Sequence, residues 1–269
     1  MRTHHHAEFP IERLIANREL SVAVCLPARE CATTIGPIVE TLDDQREQNL
    51  IDEILVVDAD STDGTARIAR QAGARVVSQS DLLPDLGPVH GKGDAMWRAL
   101  SILTMDVVVF LDADIAGFDE RFATGLLGPL LENDADFVKA FYRRPLGDDP
   151  VGGGRVNHLM ARPALKTFFP ELQAIRQPLA GEIAAKRDVL ERIPFATGYG
   201  VEIAMLIDVY REIGLERMAQ VDLDEMINDH QSLQALNPMA ETVLRVVASR
   251  RGVEGVEPIL ERPPLVTVA

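Results

Sequence analysis

Four short, nearly unbroken apolar runs mark the first half of the chain: residues 20–26 (LSVAVCL), 51–57 (IDEILVV), 74–77 (ARVV) and 107–111 (VVVFL). Apolar runs of this length without alternation suit strands covered on both faces. Between them, apolar positions recur at helical spacing. Residues 33–42 carry Ile35, Ile38, Val39 and Leu42 on one face, residues 64–72 stop at Gly73, and residues 93–103 carry Met96, Leu100 and Leu103. Strand alternating with helix predicts an α/β fold around a mostly parallel sheet with right-handed crossovers. Further on, the pattern predicts a strand over 134–142, a glycine-rich loop over 145–154 (PLGDDPVGGG) and a helix over 156–169. An apolar helix over 200–210, a strand over 218–223, an amphipathic helix over 232–250 and a proline-containing tail over 252–269 complete the chain.

In parallel sheets ligands sit off the carboxyl ends of the strands. The predicted exits are Pro27, Ala28, Arg29 and Glu30; Asp58, Ala59, Asp60 and Ser61; and Asp112, Ala113 and Asp114. Two of the three are acidic, as a cation site requires. Asp112 and Asp114 share one side of an extended chain and together suit a hard divalent cation. Asp58 can accept from a nucleobase, and Ser61 or Thr62 with Asp63 can cap the next helix. The segment 58–64 is not a calcium loop, because Asp63 and Ala69 stand where glycine and a bidentate glutamate are needed. Gly91-Lys92-Gly93 sets an ammonium between small neighbours, where a phosphate can approach closely. Gly152, Gly153 and Gly154 precede Arg155, whose guanidinium can bind a phosphate bidentately. Glu202 is a lone carboxylate in an apolar helix and needs a partner. His230 follows an apparent strand and reads as structural on its own; Arg143 and Arg144 read as surface charges.

Composition narrows the classes. The net charge of −15 excludes nucleic acid as the expected partner, so an anionic substrate needs a local cationic pocket or a metal. No apolar run is long enough to span a bilayer. Two cysteines, Cys25 and Cys31, imply no disulfide framework and fit a cytoplasmic protein. His4, His5 and His6 read as part of a disordered or tag-like stretch.

Taken in order, a series of motifs resembles the glucosyl-3-phosphoglycerate synthase family of retaining glycosyltransferases, which includes related mannosyl-3-phosphoglycerate synthases. The motifs are residues 26–29, 61–65, 79–84, 91–97, 110–114, 141–146, 152–156, 177–182 and 198–203. The resemblance implies a GT-A fold: a Rossmann-like, mostly parallel sheet flanked by helices, with a C-terminal acceptor-binding subdomain. It divides the chain into an N-terminal arm (1–19), a nucleotide-sugar half (20–145), an acceptor half (146–250) and a tail (251–269). It implies that Pro27, Ala28, Arg29, Glu30, Asp58 and Ser61 hold the nucleotide, with Lys92, Asp112, Ala113 and Tyr199 also on the donor. It places Leu179, Ala180, Gly181 and Glu202 at the transfer centre and Gly154, Arg155, Val156 and Asn157 around the acceptor. Asp114 and His230 ligate the metal, with Asp112 alongside; Mg²⁺ is expected, with Mn²⁺ or Co²⁺ as substitutes. A homodimer is also implied.

Three positions depart from the family pattern: Glu30-Cys31 replaces Asn-Glu, Asn157 replaces Thr, and Gln231-Ser232 replaces Arg-Asn after His230. The expected reaction moves glucose from a nucleotide-diphosphate sugar to the 2-hydroxyl of 3-phosphoglycerate with retention. The alternatives are mannosyl transfer from GDP-mannose, a nucleotidyltransferase, and a catalytically silent nucleotide-sugar binder.

Overall fold

A computed structural model describes the whole chain except Asn17, Asp229 and Ala269, so the residue beside His230 lies outside the described residues. The strands are β1 (Arg2–His5), β2 (Val22–Ala28), β3 (Glu53–Asp58), β4 (Arg75–Ser78), β5 (Val107–Phe110), β6 (Phe137–Arg143), β7 (Ile183–Lys186), β8 (Phe195–Ala196), β9 (Met218–Glu225) and β10 (Glu261–Arg262). The helices are α1 (Ile11–Ala16), α2 (Ile35–Glu47), α3 (Thr65–Gln71), α4 (Lys92–Leu100), α5 (Arg121–Leu131), α6 (Arg162–Phe168), α7 (Arg187–Glu191), α8 (Val201–Ile213) and α9 (Asn237–Arg251).

Eight strands form one sheet in the order β1-β9-β6-β7-β5-β2-β3-β4. All neighbours are parallel except β7, which runs antiparallel to both β5 and β6. The predicted α/β architecture therefore holds. The four N-terminal apolar runs became β2, β3, β4 and β5, and all of Val22, Val24, Leu55, Val56, Val108 and Val109 are fully buried. One core layer packs on each face. Phe110, Trp97, Leu206 and Val246 lie in one; Val24, Leu42, Phe122 and Leu126 lie in the other. Double coverage explains why these strands lack alternation.

The N-terminal arm is a correction. Residues 2–5 are not a disordered stretch; they pair in parallel with β9, from Arg2 opposite Ala219 to His5 opposite Asp222. A short 3-10 turn (His6–Glu8) and α1 follow, and Phe9 and Leu14 anchor them in the core. The strand has no apolar signature because an edge strand with one solvated face needs none. The sheet thus takes strands from the arm and from both halves of the chain. The tail also returns: β10 pairs with β8, and Trp97 Nε1 donates to Pro263 O at 2.8 Å. Cys25 and Cys31 are both free and buried. Among the described residues no helix is long and apolar enough to cross a membrane.

Candidate active site

The register Ala28 opposite Asp58, with Phe110 opposite Cys25, sets the exits of β5, β2 and β3 side by side. Every exit read from the sequence therefore opens on one cleft. At the β2–β3 side the two loops lock together. Glu30 N donates to Ser61 Oγ at 2.9 Å, Thr62 N donates to Glu30 Oε1 at 2.8 Å, and Ala32 N donates to Asp63 Oδ2 at 2.9 Å. Glu30 adopts φ 52° to do so. Asp63 also accepts from Thr65 N and Oγ1, but the N-cap position of α3 is Gly64, so the expected side-chain cap by Ser61, Thr62 or Asp63 is absent. Asp58 accepts from Ser61 N at 3.1 Å through Oδ2, while Oδ1 is buried without a partner. A buried orphan acceptor carries a desolvation cost of about 1–3 kcal/mol, which an N–H of a ligand base would relieve. Pro27, Ala28 and Arg29 lead into this loop pair.

Lys92 begins α4, and its ammonium donates to Asp112 Oδ1 at 2.5 Å and to Glu202 Oε1 at 2.9 Å. Burial opposes the charged lysine, but the two carboxylates win and hold its pKa well above the ordinary value. Glu202 lies in the first turn of α8, where a helix favours negative charge. The lone carboxylate thus has its partner. Glycine is required here: a Cβ on Gly93 would overlap Ala196 O, and a Cβ on Gly181 would lie within 2.6 Å of the Asp112 carboxyl carbon. The segment before Lys92 is clamped by the buried Arg98, which donates to Leu82 O, Leu83 O and Gly87 O at 2.6, 2.9 and 2.8 Å. Asp94 binds Arg98, Arg262 and His90 N, tying the C-terminal tail to the same segment.

Burial raises Asp112, but Lys92, a hydrogen bond from Glu182 and the Arg144 charge outweigh it and leave Asp112 lowered. Asp114 reaches the solvent side of the cleft. The protein around its carboxyl raises its pKa, and the Asp112 charge adds to that. Two carboxylates that repel in this way suit a cation between them. Ala113 is buried and its carbonyl accepts from Thr34 Oγ1 at 2.6 Å.

Around Ala180 and Glu182 lies a buried polar layer that no hydrophobic pattern in the sequence predicts. Lys139 is buried in β6 and donates to Ala180 O at 2.7 Å. Tyr142 donates its hydroxyl to Glu182 Oε2 at 2.5 Å, and Gln177 Oε1 accepts from Tyr142 N at 2.8 Å. Burial, then the Asp112 charge, pushes Glu182 up to about 7. Burial lowers Lys139 to about 8 against the pull of Glu202 and Glu182. Leu179, Ala180 and Gly181 are held by this layer. Its signal in the sequence was Lys139 inside an apolar strand, an exception that always needs a partner.

The residues expected around the acceptor are more loosely tied. Gly154 has φ 65° and leads into Arg155 and Val156, and Asn157–Ala161 forms a π-helical turn, a feature frequent at functional sites. Asn157 is buried with Oδ1 unpaired, and Arg155 donates to Gln231 O. Arg143 is exposed as expected, whereas Arg144 is not a surface charge: it is half-buried, bonds Asn228 Oδ1, and acts on Asp112 and Asp114. Tyr199 lies in an exposed turn before α8. His230 departs from the expected ligand position. Its Nε2 donates to Pro145 O at 2.6 Å beside Gly153, and among the described residues it forms no three-ligand group with Asp112 and Asp114.

The model of glycosyl transferase family 2 matches residues 23–193. Glucosyl-3-phosphoglycerate synthase of Petrotoga mobilis is 41% identical over 93% of this chain and 80% of that protein. The Mycolicibacterium smegmatis protein of the same name is 44% identical over 87% of this chain and 78% of its own length. Mannosyl-3-phosphoglycerate synthase from Rubrobacter xylanophilus superposes with a TM-score of 0.92 at 43% identity, covering 99% of this chain and 97% of its own. Glucosyl-3-phosphoglycerate synthase from Mycobacterium tuberculosis, solved with Mn²⁺, UDP-glucose and phosphoglyceric acid, gives 0.91 at 37% identity, covering 100% and 99%. The chain thus matches the glycosyl transferase family 2 model over most of its length and belongs to the glucosyl-3-phosphoglycerate synthase family.

Proposed function

We propose that this protein transfers glucose from UDP-glucose to the 2-hydroxyl of 3-phosphoglycerate, releasing UDP. The observation that carries the reading is the Asp112–Lys92–Glu202 triad, which holds a cation and two carboxylates where a sugar diphosphate would meet the Asp112-Ala113-Asp114 edge. Relatives named for this activity are 37–44% identical to this chain. The orphan Asp58 Oδ1 suits a base N–H.

The donor set fits a divalent cation. Asp112 and Asp114 supply hard oxygens, and Asp114 is raised first by burial and then by the Asp112 charge, both of which a cation would offset. The relatives' structures hold Mn²⁺ or Mg²⁺ with UDP. His230, now bonded to Pro145 O, would be the third residue to hold the ion in this reading. Such an ion would neutralise charge on the leaving diphosphate.

The chain's own residues do the rest. Lys92 is positioned to take diphosphate charge as the bond to the anomeric carbon breaks, and Glu202 and Tyr199 to orient the sugar. Arg155 and Asn157 hold the acceptor phosphate, with Gly154 and Val156 shaping the pocket. The only carboxylate next to Gly181 in sequence, Glu182, is fully buried and bonded to Tyr142, so it offers no exposed nucleophile. Because Asp112, the carboxylate against Gly181, is engaged by Lys92, front-face displacement fits better than a covalent intermediate: the acceptor oxygen bonds the anomeric carbon on the face the diphosphate leaves, and the hydroxyl proton passes to a diphosphate oxygen. Catalysis is then positioning and electrostatics. A second reading, mannosyl transfer, is favoured by the 43% identity to the Rubrobacter enzyme.

We read the protein as cytoplasmic on its two unpaired cysteines, and as a homodimer on the family resemblance; sedimentation tests the latter. The enzymatic test is Asp114→Asn. Loss of metal-dependent UDP release supports the assignment, and full activity with Mg²⁺ refutes it.

A further inference from the structure

The N-terminal arm carries a cluster that the transfer reaction does not use. His5, His6 and Asp224 each offer one ligand atom, and these atoms all lie within 4.8 Å of one another. His5 Nε2 lies 3.2 Å from Asp224 Oδ1, and His6 Nε2 lies 2.8 Å from Oδ2. Neighbouring residues on a strand point to opposite faces, so two adjacent histidines should not meet one carboxylate. They do because β1 ends at His5 and the 3-10 turn starts at His6. Glu8 fixes that turn by accepting from His5 N at 2.7 Å, and the two rings come to 4.5 Å between centroids. On the other side Asp224 takes φ 64°, held by its own amide donating to Asp222 Oδ1 at 2.9 Å. Both partners are therefore bent toward each other.

We propose that His5, His6 and Asp224 form a binding site for a transition-metal dication of the zinc class, distinct from the cation site of the transfer cleft. Two ligands at about 2.0–2.1 Å from a tetrahedral ion stand roughly 3.3 Å apart, close to the His5–Asp224 separation. Two imidazoles and one carboxylate, with water completing the shell, select Zn²⁺, Co²⁺ or Ni²⁺ over Mg²⁺. Binding replaces the Nε2 protons of both rings, and His5 gives up the 3.2 Å contact from Ala7 N to its Nδ1. The side chains of His5, His6 and Asp224 are 44%, 21% and 48% exposed, so an ion can enter. The ion would pin β1 to the end of β9, just before the segment that carries Asn228 and Gln231 at the acceptor side.

The test uses the full chain without an added histidine tag, stripped of metal and then held in saturating Mg²⁺. Co²⁺ is titrated and its visible absorption followed, with Zn²⁺ as competitor. One Mg²⁺-resistant Co²⁺ per chain, displaced by Zn²⁺, is expected. Loss of an outer-shell partner alone costs about 10–100-fold in metal affinity, so His6→Gln and Asp224→Asn should weaken binding at least tenfold. Mg²⁺-dependent turnover should stay unchanged in His6→Gln. Zn²⁺ should slow proteolysis of the first residues in wild type and not in His6→Gln, with His5→Gln as the second variant should His6→Gln fail to fold. Equal Co²⁺ uptake by wild type and His6→Gln overturns the site. So does uptake abolished by Asp114→Asn and untouched by His6→Gln, which would place the ion in the cleft.

Discussion

Replacing Lys139 with methionine separates two roles that this buried lysine plays at once. The residue is 1% exposed, and burial lowers its pKa from an ordinary 10.5 to about 8. At about 1.36 kcal/mol per pH unit, the charged lysine destabilises the fold below pH 8 by ~3 kcal/mol. The unfolded chain holds this proton up to about pH 10.5 and the folded chain releases it near 8, so the wild type gains stability as pH rises through that window. Methionine removes the penalty but leaves Ala180 O unpaired, at a cost of about 1–3 kcal/mol. Near pH 7 the two effects roughly cancel, and near pH 10 the wild type should lead by a few kcal/mol. Urea unfolding of both proteins at several pH values measures the difference. Activity should respond differently: with Ala180 O released, the Leu179–Gly181 segment loses its anchor and kcat should fall about tenfold even where stability is equal. A wild-type minus Lys139→Met stability difference that stays flat from pH 7 to 10 would refute the buried-charge argument. Unchanged kcat would refute the anchoring role.

Gly181→Ala drives a methyl into the Asp112 carboxylate; overpacking of about 1–3 kcal/mol is expected in thermal unfolding, together with a loss of kcat larger than any change in donor KM. Glu182, pushed up from 4.5 to about 7, makes the fold lose stability as pH rises through that interval. Glu182→Gln should therefore be the more stable protein at pH 8, by up to ~3 kcal/mol, with the gap closing toward pH 5 in parallel denaturation curves. Arg155→Ala should raise the acceptor KM roughly 10–100-fold, the worth of a charge-assisted bond, and leave the donor KM alone in steady-state kinetics.

Much of this architecture is readable from the chain because buried parallel strands must have apolar interiors, and β2, the Ile54–Val57 stretch of β3, and β5 do. The acidic exits Asp58 and Asp112 follow from the same rule. β1 was illegible because an edge strand of Arg, Thr and two His carries no hydrophobic signal; its place is set by pairing with β9 and by Phe9 and Leu14 behind it. The antiparallel β7 was hidden in four residues, too few for a period to register. In the site, Lys92 and Glu202 were each singled out, but their contact spans 110 positions and only the fold could show it. Arg144 looked like a surface charge because its neighbours Asp112 and Asn228 are remote in sequence. His230 shows the reverse: a motif-based role that the local geometry does not display, since the ring is engaged with Pro145 O.

The central claim is glucosyl transfer to 3-phosphoglycerate at the Asp112–Lys92–Glu202 cleft, and a single donor-by-acceptor matrix addresses it most directly. UDP-glucose, GDP-glucose and GDP-mannose are each incubated with 3-phosphoglycerate or glycerate, with Mg²⁺ or with chelator, and products are identified by NMR. The account expects UDP and an α-linked glucosyl-3-phosphoglycerate from UDP-glucose and 3-phosphoglycerate, abolished by chelator. Absence of that product in the presence of Mg²⁺, or pyrophosphate release in place of UDP, would contradict it.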